Sequence, residues 1–238
     1  MKGPLSRSHR LGNRPQPFIQ VRGERGDVWP DVHRQVASGH YSVRWSLRYG
    51  QLTKRTLGLV GIGKIGARVA AICSRGFGMR ILAYDPGLSR AEITLRGGEK
   101  VETLGALLAE ADVVSLHLPL TSETRHIIGR EQLRLMKRSA ILVNAARGPL
   151  IDEIALCEAL QAEVISGAGL DVLEIEPPAA ESPILSAPNV VLSPHTAGST
   201  EEADLHLALA AAENAIAVIT GRRPKDLLNP EVWPRRRR

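Results

Sequence analysis

From Thr56 onward the chain alternates between two textures. Apolar runs of strand length recur, and stretches with helical spacing separate them. TLGLVGI (56–62), MRILAY (79–84), DVVSLHLP (112–119), AILVNA (140–145), GAGLDV (167–172) and NVVLSP (189–194) read as strands. The intervals 64–77, 104–111, 131–136 and 152–162 read as helices, and 201–220 as a long Ala/Leu-rich one. Within 64–77, Ile65, Val69, Ile72 and Cys73 fall on one face, which predicts the buried side. Apolar runs that do not alternate are expected to be buried on both faces. Separated by helices, they predict an α/β fold built on a doubly wound parallel sheet. Residues 1–30 differ. Pro4, Pro15, Pro17 and Pro30, several glycines and scattered arginines sustain no period, so this segment reads as disordered or loosely attached.

Composition sharpens the picture at the ends of the chain. Hydrophobic residues make up 43% of the 238, enough for a core without staples. The net charge is +6, yet residues 1–30 carry +4 and Arg235 to Arg238 another +4, which leaves −2 for the body. The basicity therefore belongs to the two ends, and a nucleic-acid groove on the fold is not expected. No apolar run reaches membrane-spanning length, and the N-terminus lacks the apolar segment of a secretory signal. Cys73 and Cys157 lack metal-ligand spacing. They read as reduced core thiols, which suits a cytoplasmic protein.

The first candidate chemistry lies at the end of the first strand. Gly61, Gly63 and Gly66 form a GxGxxG loop between a strand and a helix, and Asp85 closes the next strand. A lone GxGxxG is weak evidence, but this one has the context that gives it meaning. Gly61 permits the tight turn, Gly63 lets backbone approach a pyrophosphate, and Gly66 lets the helix pack close to the strand. The helix N-terminus offers its N–H groups and positive dipole end to phosphates. Asp85 can accept hydrogen bonds from ribose hydroxyls and would repel a 2′-phosphate, which favours NAD over NADP. The fold is therefore expected to be a Rossmann-type dinucleotide-binding domain. By itself the loop does not separate a dehydrogenase from a methyltransferase.

Polar residues follow three later strands, in VNAARGPLIDE (143–153), GAGLDVLEIEPP (167–178) and LSPHTAGST (192–200). In a doubly wound sheet those strand ends gather at one edge, so Arg147, Asp171, Glu176 and His195 could converge there. Reduction of a 2-oxo acid needs a proton donor for the developing alkoxide and a cation for the carboxylate. His195 is the natural acid–base group. Glu176 could hold its tautomer, and Arg147 offers a fork of donors that matches a carboxylate. Singly, each has a plain alternative: Arg147 as a turn residue, His195 as a loop histidine, Glu176 as a solvated carboxylate. His117 reads as structural or cofactor-adjacent, and His126 and His206 receive no role.

Together TLGLVGIGKIG, LHLPLTSETRHIIG, LVNAARGPLIDE, GLDVLEIEPP, SPHTAGST and the closing LLNPEVW resemble the D-isomer-specific 2-hydroxyacid dehydrogenase family. The likeness covers about residues 31 to 233. It implies NAD as cofactor, a small 2-oxo or 2-hydroxy acid as substrate, and a homodimer. It assigns Arg147 to substrate binding and Glu176 with His195 to the acid–base pair. It places Lys64, Ile65, Asp85, Leu118, Ala145 and Asp171 around the NAD. Family members begin with a further half that forms most of a second domain. Only a remnant of it is recognisable here, in VHRQVASGHYSVRW (32–45). The expected organisation is thus an unassigned basic segment over 1–30, an NAD-binding domain over 31–200, and a C-terminal helix with a basic tail over 201–238. Without the second domain, an apolar face of the 201–220 helix is expected to be exposed.

Overall fold

A computed structural model describes residues 29–45 and 50–235. The reading of residues 1–30 as disordered lies outside the described residues as far as Val28, but Trp29 and Pro30 open a helix and correct it there; the arginines after Arg235 also lie outside. The chain divides into two compact units, one up to Pro194 and one from His195.

The first unit opens with α1 (Trp29–Ala37) and a 3-10 turn over Tyr41–Trp45. The sheet then builds in sequence: β1 (Thr56–Val60), α2 (Lys64–Phe77), β2 (Arg80–Tyr84), α3 (Arg90–Leu95), β3 (Glu99–Lys100), α4 (Leu104–Glu110) and β4 (Val113–Leu116). It continues with α5 (Arg130–Leu135), β5 (Ile141–Asn144), α6 (Glu153–Gln161), β6 (Gly167–Leu170) and β7 (Val190–Leu192). The seven strands lie in the order β3-β2-β1-β4-β5-β6-β7, and every pairing is parallel. The direction of winding reverses between β1 and β4, where Val60 pairs with Leu116. A ligand crevice belongs at that reversal, outside the carboxyl ends of the strands. The doubly wound parallel sheet expected from the sequence is therefore present.

Side-chain alternation along the strands feeds two apolar clusters, one on each face of the sheet. Leu57, Leu59, Ile81, Ala83 and Val113 join one, while Val60, Val114, Leu116, Leu142 and Leu170 join the other. Local chemistry sets the helix starts. Ser89 caps α3 in a reciprocal box with Glu92, Thr103 caps α4, and Asp152 caps α6.

Three expectations need correction. On α2 the buried residues are Gly66 and Ala70, whereas Ile65 is 71% exposed and Ile72 55%. The helix presses its small residues onto the sheet, so close approach outweighs side-chain size. β7 is not buried on both faces, because it is the sheet edge and Val191 and Leu192 are exposed. The α3–β3 pair was absent from the expected elements. β3 is only two residues long and polar, so no apolar run could announce it.

The second unit contains α7 (Glu201–Ile219), capped by Thr200, and a 3-10 turn over Pro230–Arg235. No residue of α7 is buried, and Leu207 is 72% exposed. This agrees with the exposed apolar face expected for that helix.

Candidate active site

The glycine loop is built by three close approaches. Gly61 has φ +87°, and a Cβ there would lie 2.8 Å from the His117 carbonyl oxygen. Its N–H donates to the Tyr84 carbonyl at 2.9 Å, which ties the loop to the end of β2. A Cβ on Gly66 would stand 2.6 Å from the Gly61 carbonyl oxygen, so α2 packs tightly under the loop. Gly63 is different. It precedes α2 with φ −67°, and a Cβ there would meet no atom of the chain within 4 Å. The open space lies at the helix N-terminus, where Lys64 and Ile65 are exposed and no side chain caps the helix. The first-turn N–H groups are thus available to an anion. The space above Gly63 suits a pyrophosphate, and this residue set fits a bound dinucleotide.

Asp85 does two things at once. Its Oδ2 accepts from the Ile62 N–H at 3.1 Å, and its Oδ1 accepts from the Gly87 N–H at 3.2 Å. The second bond is the turn-capping role that any aspartate before Pro-Gly could play. The first couples the carboxylate to the glycine loop, and lone pairs remain on both oxygens for ribose hydroxyls. Arg96, which the sequence did not single out, donates from Nη1 to the Ile62 carbonyl at 2.8 Å. One residue of the loop, Ile62, is thus held at its N–H by an anion and at its C=O by a cation. Arg96 follows α3, the helix that was not anticipated, so its approach to the loop had no sequence signal.

His117 leaves β4 beside the same loop. Its N–H donates to the Val60 carbonyl at 2.8 Å, and its Nε2 lies 2.9 Å from the Ser115 hydroxyl. Burial pushes the imidazole below its ordinary pKa of 6.5, so it is neutral at pH 7. This carries a pH signature. Between the unfolded and folded pKa values the unfolded chain takes up a proton that the native one refuses, so stability falls as pH drops below about 6.5. In denaturant titrations, His117→Asn should lose less stability than the wild type between pH 7.5 and 5.5. Equal losses would assign the acid sensitivity elsewhere.

The turn after β5 is organised by Asn144, 1% exposed at the strand's end. Its Oδ1 accepts from the Ala146 N–H at 3.0 Å, and its Nδ2 donates to the Arg147 carbonyl at 2.8 Å. The staple presents Ala145 and Arg147, both exposed. The Arg147 Nη1 donates to the Ala146 carbonyl at 2.6 Å. The next residue, Gly148, is pressed onto the loop that follows β6: a Cβ there would fall 1.8 Å from the Leu173 carbonyl oxygen. In that loop the Glu176 Oε1 accepts from the Leu173 N–H at 2.9 Å. The turns bearing Arg147 and Glu176 are therefore in backbone contact. Asp171, 8% exposed, donates its N–H to the Asn144 carbonyl at 2.9 Å and accepts from the Ser193 hydroxyl at 2.5 Å. Leu118 is half-buried just past β4. His195 opens the second unit, with φ +55°. Asn144 lay in a motif singled out above, but its role needs the fold: an asparagine in an apolar strand signals a buried staple only once the turn is known.

Among the described residues, no group of His, Cys, Asp and Glu is disposed to hold a metal. None of the described helices is long and apolar enough to cross a membrane. Cys73 and Cys157 are free thiols, both pushed up in pKa by burial.

Comparison with known proteins agrees with this geometry. Residues 29–197 match the model of the D-isomer specific 2-hydroxyacid dehydrogenase NAD binding domain. A glyoxylate reductase of Korarchaeum cryptofilum is 48% identical over 206 residues, covering 85% of this chain and 61% of that protein. A D-3-phosphoglycerate dehydrogenase of Methanocaldococcus jannaschii is 45% identical over 179 residues, 75% of this chain and 34% of the relative. Among solved structures, the D-lactate dehydrogenase of Aquifex aeolicus complexed with NAD and lactic acid superposes with TM-score 0.72 at 34% identity. It covers 80% of this chain and 61% of the other. The chain thus spans about three fifths of the length of glyoxylate reductases it resembles. By the extent of that match and by these identities, the chain belongs to the D-isomer-specific 2-hydroxyacid dehydrogenase family and carries its NAD-binding domain.

Proposed function

We propose that this chain serves NAD-linked interconversion of small 2-oxo and 2-hydroxy acids, as an oxidoreductase of the D-specific type. The observation that carries the reading is the backbone contact of Gly148 with Leu173. It brings the turn bearing Arg147 against the loop bearing Glu176, on the same sheet as the glycine loop, which supports reading the pair as carboxylate binder and acid–base partner. NADH, when bound, would supply the hydride for reduction of the oxo acid. Arg147 holds the substrate carboxylate through its guanidinium fork. His195 gives a proton to the oxygen as it becomes an alkoxide, and Glu176 keeps the imidazole oriented. Gly61, Gly63, Lys64, Ile65, Gly66, Asp85, Leu118, Ala145 and Asp171 surround the cofactor. Asp85 disfavours a 2′-phosphate by charge, which supports NAD over NADP.

The family likeness also supports a homodimer in the cytoplasm, and two free thiols, Cys157 buried and Cys73 half-buried, suit a reducing compartment. Sedimentation of the purified chain checks the dimer. The activity is tested by NADH oxidation with glyoxylate, hydroxypyruvate, pyruvate and phosphohydroxypyruvate. Saturable turnover with at least one is expected. NADH binding without turnover on any of them would reassign the chain as a cofactor-binding module.

A further inference from the structure

His126 has φ +51°, a left-handed conformation that is uncommon for a residue with a side chain. Backbone bonds hold it there. Its N–H donates to the Pro149 carbonyl at 2.8 Å, the Ile128 N–H to Leu150 at 3.1 Å, and the Asp152 N–H to Ile128 at 3.0 Å. The segment after β4 is thereby laced, in parallel, to the turn that begins at Arg147. From this anchored position the His126 Nε2 reaches Glu174 Oε1 at 2.7 Å. Arg125 Nη2 reaches the same oxygen at 2.8 Å. The Glu174 side chain is only 22% exposed, so the two contacts are partly shielded from water. Its backbone is held as well, because the Glu174 N–H donates to Glu153 Oε2 at 3.0 Å. Glu153 stands in the first turn of α6.

Glu174 therefore sits in the 171–178 loop with both backbone and side chain pinned. The residue before it, Leu173, gives its N–H to Glu176 and its carbonyl to the close approach of Gly148. We propose that Arg125, His126 and Glu174 form a positioning cluster that fixes the turn bearing Glu176 against the turn bearing Arg147. The inference rests on the reading of Glu176 and Arg147 as working residues. None of the three cluster residues needs to touch substrate. A surface ion pair alone would contribute little. Here two donors converge on one oxygen, and one of them is presented by a backbone conformation that most residues avoid. Positional errors of this kind cost rate because the reacting groups leave their productive geometry.

The test compares Glu174→Ala, Glu174→Gln and His126→Asn in the full chain. Asparagine accepts the left-handed backbone but is too short to reach Glu174. Four quantities are read: exchange of the Leu173 amide by NMR, the Kd for NADH, kcat with the oxo acid, and the KM for NADH. Glu174→Ala and His126→Asn should each speed Leu173 exchange about tenfold, a local loosening, with NADH affinity unchanged. They should lower kcat roughly tenfold while leaving the KM for NADH alone. Glu174→Gln, which still accepts from both donors, should recover most of both effects. Unchanged Leu173 exchange in His126→Asn would overturn the proposal, as would equal damage from Gln and Ala. If the wild type shows no turnover, the functional reading fails, and the exchange measurement still decides whether the cluster holds the turn.

Discussion

Gly148→Ala should be among the most damaging single-methyl additions in the protein. The new Cβ would lie 1.8 Å from the Leu173 carbonyl oxygen, 2.0 Å from its carbonyl carbon and 2.6 Å from the Glu174 nitrogen. All three are backbone atoms, so no side-chain rotation relieves the collision. Gly148 is buried, and both turns are fastened elsewhere: one by the Asn144 side chain, the other by Glu153 and by the Glu174 contacts. A close-packed interior does not absorb such an overlap, so the two turns must separate. The expected cost is about 3 kcal/mol or more, at the upper end for overpacking. Turnover should fall further than the folded fraction, because the displaced turn carries Arg147. Gly169→Ala is the matched control. It lies in β6, and its Cβ meets nothing within 4 Å, so it should change stability by less than about 1 kcal/mol. Urea unfolding midpoints of both variants decide the matter. Equal midpoints for Gly148→Ala and wild type would show that the turns can part freely, and the backbone contact could no longer carry the functional reading.

The same contact marks the boundary of what the sequence revealed. Strand-length apolar runs separated by helical spacing were enough to read six of the strands and the long helices; burial leaves a local signature in the inner strands, and β7 keeps an apolar run although it is the exposed edge. The sheet's polar edge left none: β3 has neither length nor hydrophobicity. The α2 error has a related origin. Sequence periodicity weights large side chains, whereas the helix buries Gly66 and Ala70 to let backbone come close. The site followed the same division. Arg147, Glu176 and the glycine loop were visible as polar or glycine residues after apolar strands. Asn144, Arg96 and Glu174 were not, because each acts on a backbone or side chain far along the chain or through a turn whose shape the sequence does not display. His126 was passed over for the same reason. Its partner Glu174 lies forty-eight residues away, and its left-handed backbone is set by a neighbouring turn.

His195→Ala should abolish most turnover while leaving NADH binding intact, and the difference between those two readouts separates an enzyme from an idle binding module. A positioned general acid contributes roughly 10²- to 10⁴-fold to a proton-coupled step, so kcat for reduction of the oxo acid should drop by about that factor. The contacts that form the dinucleotide loop all come from the first unit: Gly61, Gly66, Asp85 and Arg96, with open space above Gly63. None of the named loop bonds is made by His195, so the Kd for NADH should stay within about twofold, a change of less than roughly 0.5 kcal/mol. Glu176→Gln should act in the same direction but less severely, since the amide oxygen still accepts a hydrogen bond. A variant that keeps wild-type kcat would remove His195 from the acid–base role. A loss of turnover matched by an equal loss of NADH affinity would instead make the histidine part of the cofactor site, and the proton would have to come from another group.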